Sequence, residues 1–185
     1  MAKKKTRGKF IVLEGGEGSG KSSMLKFLKK MFSQRQDMIF TREPGGTETG
    51  IEFRKILMDK KNKKMTGLTE LFGFCTDRSQ HVSEIIIPAL KSGKNVISDR
   101  FDISTIAYQI YGRGIENVEL FEQINTPAKR GIEPDLVIFL DVKAEVGLER
   151  RNKSPEGKTT RFDHEAIEFH ERVREGYLKC RDSCN

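Results

Sequence analysis

Between Gly15 and Ser22 the chain reads GGEGSGKS, which matches the spacing G-x-x-x-x-G-K-S. Glycines at that density let successive backbone N–H groups turn inward around an anion, and a helix starting directly after them adds partial positive charge. The pattern assigns Gly15, Gly16, Glu17, Gly18, Ser19, Gly20, Lys21, Ser22 and Ser23 to a phosphate cradle, with Lys21 reaching the β and γ phosphates and Ser22 ligating Mg²⁺. The ligand such a loop expects is a nucleoside triphosphate, ATP or GTP, with magnesium. A GTPase switch would add N-K-x-D and D-x-x-G; the chain has neither, and NKSP at 152–155 lacks the Asp. A motor needs partner domains and more length. A small-molecule kinase needs only a second pocket.

Residues for that pocket follow. In TREPGGT (41–47) the Pro-Gly-Gly turn exposes Arg42 and Glu43 beside Pro44, and Arg54 lies one to two turns into the next helix. Phe74 and Arg78 are four apart, so a ring and a guanidinium share one side of a helix. That pair suits a base with a carbonyl edge, and it equally suits a core ring beside an ion-paired arginine. NVISDRF sets Asp99 and Arg100 at a strand tip, a carboxylate to organise magnesium-bound water and a cation to hold phosphate. GLERRNKSPEGKTTRFD gathers Arg150, Arg151, Lys153, Lys158 and Arg161. It reads either as a mobile basic lid over about 152–162, closing on a transferring phosphate, or as a solvated surface loop. His81, His164 and His170 read as helix-surface or packing residues.

These residues need a scaffold, and the apolar patterning supplies one. FIVL (10–13), MIF (38–40), NVIS (95–98) and DLVIFLDV (135–142) read as strands apolar on both faces. Helical spacing occupies about 20–33, 48–60, 68–92, 102–112, 116–126, 143–151 and 164–182. The fold class is α/β: a parallel sheet between two helical layers, with ligands at the carboxyl ends of the strands. No linker or repeat divides the 185 residues, so one domain over 1–185 is expected. No apolar run reaches the ~18 residues of a membrane span, and the basic start is too short in its apolar part for a signal peptide, so the default compartment is the cytoplasm. Three cysteines without a C-x-x-C pair suggest reduced thiols, not a disulfide framework or zinc site. A net charge of +7 fits nucleic acid or a small polyanion. The runs at 3–5 and 60–64 lack interleaved aromatics and read as wet surface, which favours the polyanion.

Taken together, FIVLEGGEGSGKSS, TREPGGT, ISDRFDISTIAYQ, YGRGI, PDLVIFLDV and RFDHEAIEFHERVREGYL resemble the thymidylate kinase family, in colinear order from about Phe10 to Leu178. The resemblance is to the bacterial form, whose catalytic arginine lies in the lid. It implies ATP-dependent phosphorylation of dTMP in a three-layer α/β/α fold, with Mg²⁺, and a homodimer with no role for nucleic acid or membrane. Glu14 and Asp99 would support magnesium with Ser22, and Glu17 would accept the 3′-hydroxyl of the deoxyribose. Arg54 and Arg100 would hold the 5′-phosphate, in a pocket shaped by the loop of Glu43 and Pro44. Phe74 would stack on thymine, Arg78 would donate to a ring carbonyl, Thr105 and Gln109 would finish the base edge, and Tyr108 would exclude a 2′-hydroxyl. Lys21, Arg100 and one of Arg150, Arg151 and Arg161 would neutralise the transferring phosphate. No strong base is needed, because the acceptor phosphate, with a second pKa of about 6, is already largely ionised. Two departures stand out: Phe101 occupies a place where the family often has Tyr or His, and the family continues after GYL with a further strand, an adenine-bordering loop and a helix. Four to five strands are therefore expected. Rival readings remain a kinase for another deoxypyrimidine monophosphate and a nucleotide-binding relative with impaired catalysis.

Overall fold

A computed structural model describes residues 6–153 and 159–182. Four strands form one parallel sheet: β1 (Phe10–Glu14), β2 (Met38–Arg42), β3 (Asn95–Asp99) and β4 (Leu136–Phe139), in the order β2-β3-β1-β4. In register, Leu13 lies beside Asp99 and Ile138, and Arg42 beside Asp99. The ends of β1, β2 and β3 therefore release Glu14, Arg42 and Asp99 along one edge. That edge is the platform for the site.

The helices are α1 (Lys21–Met31), α2 (Glu48–Met58), α3 (67–91), α4 (102–112), α5 (Val118–Lys129), α6 (Ala144–Lys153) and α7 (Ile167–Asp182). Thr47 caps α2, its hydroxyl accepting from Gly50 N at 2.9 Å, and Thr66 caps α3 in the same way through Thr69 N. Two helices contain widened turns. In α3, Ile87 N donates back to Val82 O, five residues away, just before Pro88. Proline has no N–H and its ring crowds the carbonyl four residues earlier, so a looser turn relieves it. In α4, the segment Ile106–Gly112 is wound the same way, and Arg113 N donates to Tyr108 O. Spacing rules assume 3.6 residues per turn, so neither widened turn is visible in the sequence. The span of α5 also reaches Lys129, past the expected 126, because Pro127 falls in its last turn while Ala128 is buried.

One core lies under the sheet, where Phe10, Val12 and Val96 meet Val82, Ile86 and Leu90 of α3 and the ring of Phe101. A second joins Ala107 and Tyr108 of α4 to Phe169, Val173 and Tyr177 of α7, with Phe162. The second core forms the wall of the site. Among the described residues no helix is long and apolar enough to cross a membrane.

Candidate active site

The loop after β1 turns on glycines, with Gly15, Gly18 and Gly20 all at positive φ. Gly18 has φ +62°, and a Cβ there would lie 1.9 Å from Gly147 O of α6, so only glycine lets the loop pack on that helix. Lys21 opens α1 and points back across the loop. Its ammonium donates to Gly15 O at 2.7 Å, Gly16 O at 2.8 Å and Ser19 Oγ at 3.3 Å. Burial, and after it the charge of Arg100, brings its pKa down to about 8. Ser22 and Asp99 line one open cleft of about 380 Å³ with Lys26, Lys29 and Arg42. Asp99 Oδ1 is buried there without a partner among the described residues.

The turn after β3 holds Arg100 at φ +75°, a left-handed backbone that costs a non-glycine residue on the order of 1–3 kcal/mol. The backbone is pinned by Arg100 N donating to Leu13 O, and the side chain then enters the site. Its guanidinium donates to Ser104 Oγ (3.1 Å), Tyr177 Oη (2.7 Å) and Tyr108 Oη (3.0 Å), and lies 3.8 Å from Glu17. Arg54 approaches from α2, donating to Pro44 O at 3.1 Å. Burial and the neighbouring charge of Arg42 lower its pKa to about 10. For Lys21 and Arg54 alike the largest charge effect comes from a neighbouring arginine, opposed by Asp99 and other carboxylates, and a bound anion would favour the charged form of both.

Three expectations need correcting. Glu14 is fully buried, and its oxygens accept from Phe101 N (2.9 Å), Ser104 N (3.3 Å), Ser104 Oγ (2.6 Å) and Tyr177 Oη (3.0 Å). It ties β1 to the Arg100 turn and to α7 in place of facing a metal, and burial lifts its carboxyl to about 6. Arg78 is 1% exposed, and its donors go to Glu43 (3.0 Å), Asn125 (2.9 Å), Phe101 O (3.1 Å), Thr105 Oγ1 (2.9 Å) and Cys75 Sγ. All five guanidinium hydrogens are engaged by protein, so it braces the pocket floor through Thr105. Arg161 turns onto the buried carboxylate of Glu70 and onto Leu57 O, away from the glycine loop. Gln109 meets the same Glu70 at 3.0 Å.

Of the other lid residues, Arg150 is exposed and Arg151 pairs with Asp163 at 2.7 Å. The stretch 154–158, with Lys158, lies outside the described residues. Phe74 is half-buried and faces Phe162 at 6.2 Å between ring centroids. Tyr108 is 6% exposed and donates to Glu17, 2.7 Å from both oxygens.

Two histidines that the sequence reads as surface or packing belong to the site's polar frame. His81 is fully buried between Glu43 (2.9 Å) and Thr41 (2.6 Å), and fastens the loop of Glu43 and Pro44 to α3. His170 faces Glu17. Their helical spacing places them on buried faces, yet helical spacing carries no information about polar partners on distant segments. Tyr177 was likewise invisible: its hydroxyl joins Glu14 and Arg100 from 77 or more residues away.

Comparison with known proteins gives the chain a family. The profile of the family described as thymidylate kinase matches residues 13–185. The thymidylate kinase of Clostridium novyi is 45% identical over 94% of this chain and 84% of its own length, and that of Halothermothrix orenii 47% identical over 92% and 83%. The crystal structure of thymidylate kinase from Ehrlichia chaffeensis superposes with a TM-score of 0.77 at 33% identity, covering 96% of this chain and 88% of that one.

Proposed function

The chain belongs to the thymidylate kinase family and phosphorylates dTMP with ATP, and we propose that the transfer takes place where the glycine loop, the turn of Arg100 and helix α7 meet. The observation that carries this placement is the convergence of Lys21, Arg54 and Arg100 on one region walled by Tyr108. Two anions must be brought together there, and their repulsion is the main barrier that the protein can lower.

Lys21 exchanges the neutral carbonyls of Gly15 and Gly16 for phosphate oxygens of ATP, cradled by the N–H groups of residues 15–23. Arg54 and Arg100 hold the 5′-phosphate of dTMP, and Arg100 stays fixed by Ser104, Tyr108 and Tyr177 while it does so. Thymine lies on Phe74, with Thr105 and the Arg78 guanidinium behind it at the base edge and Gln109 beyond. Glu17 accepts the 3′-hydroxyl, and Tyr108 fills the space of a 2′-hydroxyl. Arg150 and Arg151 are the lid cations left to meet the transferring group. The orphaned Asp99 Oδ1 and the Ser22 hydroxyl, which line one cleft, fit a hard oxygen-seeking cation. They would hold Mg²⁺, directly or through water, and bound Mg²⁺ supplies neutralisation of phosphate charge. The same reading makes the protein a cytoplasmic homodimer.

The test is ADP release from the purified protein with MgATP and dTMP, compared with dUMP, UMP, dGMP and no acceptor. Turnover selective for dTMP is expected. Faster turnover of another acceptor, or binding of dTMP seen as a raised melting temperature with no turnover, would overturn it.

A further inference from the structure

Glu17 is the one acidic side chain inside the glycine loop, and Tyr108 and His170 both contact it. Tyr108 donates one hydrogen, shared between the two carboxylate oxygens at 2.7 Å each. One shared donor leaves the carboxylate free to swivel. His170, delivered from α7 and 5% exposed, brings Nδ1 to 3.4 Å from Oε2, with its ring perpendicular to that of Phe169. An ionised carboxylate only accepts, so Nδ1 must carry the hydrogen.

Glu17 is ionised: burial pushes its carboxyl up, but the hydrogen bond from His170, the charges of Arg100 and Lys21 and the Tyr108 hydroxyl together bring it down to about 2. His170 Nε2 is buried without a hydrogen-bond partner among the described residues. His170 lines a small, partly open cavity of about 20 Å³, walled also by Gly16, Leu140, Asp141 and Arg174. That is room for one water, which would pair with Nε2 and hold the ring from behind.

We propose that His170 is a positioning residue for acceptor recognition: its Nδ1–H fixes Oε2 of Glu17, so that Oε1 is held ready for the sugar 3′-hydroxyl of the incoming nucleotide. The proposal rests on the reading of Glu17 as the partner of that hydroxyl. It makes discrimination at the 3′ position depend on α7, an element far from the loop in sequence. A site organised to pair with a substrate hydroxyl loses its preference for that hydroxyl when the pairing group is free to turn away.

The test is steady-state kinetics with dTMP and with its 3′-deoxy analogue, on the natural protein and on His170→Phe, His170→Asn and His170→Gln. The phenylalanine variant should lose about tenfold in kcat/KM for dTMP and almost nothing for the analogue. Asparagine places an amide N–H near the position of Nδ1 and should restore most of the preference, whereas glutamine places it near Nε2 and should not. This contrast holds even if the phenylalanine variant folds poorly. Equal losses on both nucleotides, or equal behaviour of the asparagine and glutamine variants, would overturn the proposal. If the natural protein itself does not distinguish the two nucleotides, the reading of Glu17 falls and the proposal with it. If it does distinguish them and every variant does so equally, only the role of His170 falls.

Discussion

Lys21 is the residue at which burial and charge compete most openly. Lys21 is buried, only 8% exposed, and shares the site with Arg100, so its folded value of about 8 lies below the ordinary 10.5. The sign is then fixed: the charged form is the one lost as pH rises, and it is lost early. We expect kcat/KM for ATP to fall on the alkaline side with an apparent pKa near 8, and kcat to keep a flatter profile because bound phosphates hold the proton on. A flat kcat/KM profile through pH 9 would refute this. Lys21 was legible in the sequence because its role is local, set by the neighbouring glycines and serines of residues 15–23. Arg78 was legible only as a helix-face residue, because its partners Glu43, Asn125, Phe101 and Thr105 come from three separate segments.

Among the elements, α7 organises more of the site than its sequence suggests. It contributes Tyr177 to Glu14 and Arg100, Arg174 to Asp141 at 2.7 Å, and His170 to Glu17. It can do so because it lies close against the widened turn of α4. A Cβ at Gly176 would lie 2.9 Å from Ala107 Cα and 2.8 Å from the Tyr111 ring. Gly176→Val should therefore lift α7, destabilise the fold by about 1–3 kcal/mol and weaken dTMP binding more than ATP binding. Denaturant unfolding and the two KM values measure both effects. An unchanged KM for dTMP in a destabilised variant would separate packing from acceptor recognition and count against α7 as the organiser. Helix positions were legible from apolar spacing, and their ends were set by capping residues such as Thr47 and Thr66. The widened turn of α3 accommodates Pro88, and that of α4 closes through Arg113 N and Tyr108 O.

At the scale of the molecule, the α3 segment divides between core and surface. Leu71, Cys75, Val82, Ile86 and Leu90 are buried within the subunit, while Leu68 and Phe72 stay 42% and 47% exposed beside Ile56 of α2 at 54%. Large apolar side chains left open on two packed helices are what a subunit interface would cover. Sedimentation at micromolar concentration should give twice the 21.1 kDa of one chain, and Phe72→Glu should reduce it to one. The same mass for both proteins would exclude this face as the interface.

The sequence by itself determined the four strands, their helices and the glycine loop. Those features follow from side-chain periodicity and from backbone demands within a few residues. Only the tertiary structure decided that Glu14 is a clamp, that Arg78 and Arg161 are braces, and that His81 and His170 belong to the polar frame. A buried polar group takes its role from whichever partner desolvation forces it to find. Those partners come from segments that sequence neighbourhood does not connect.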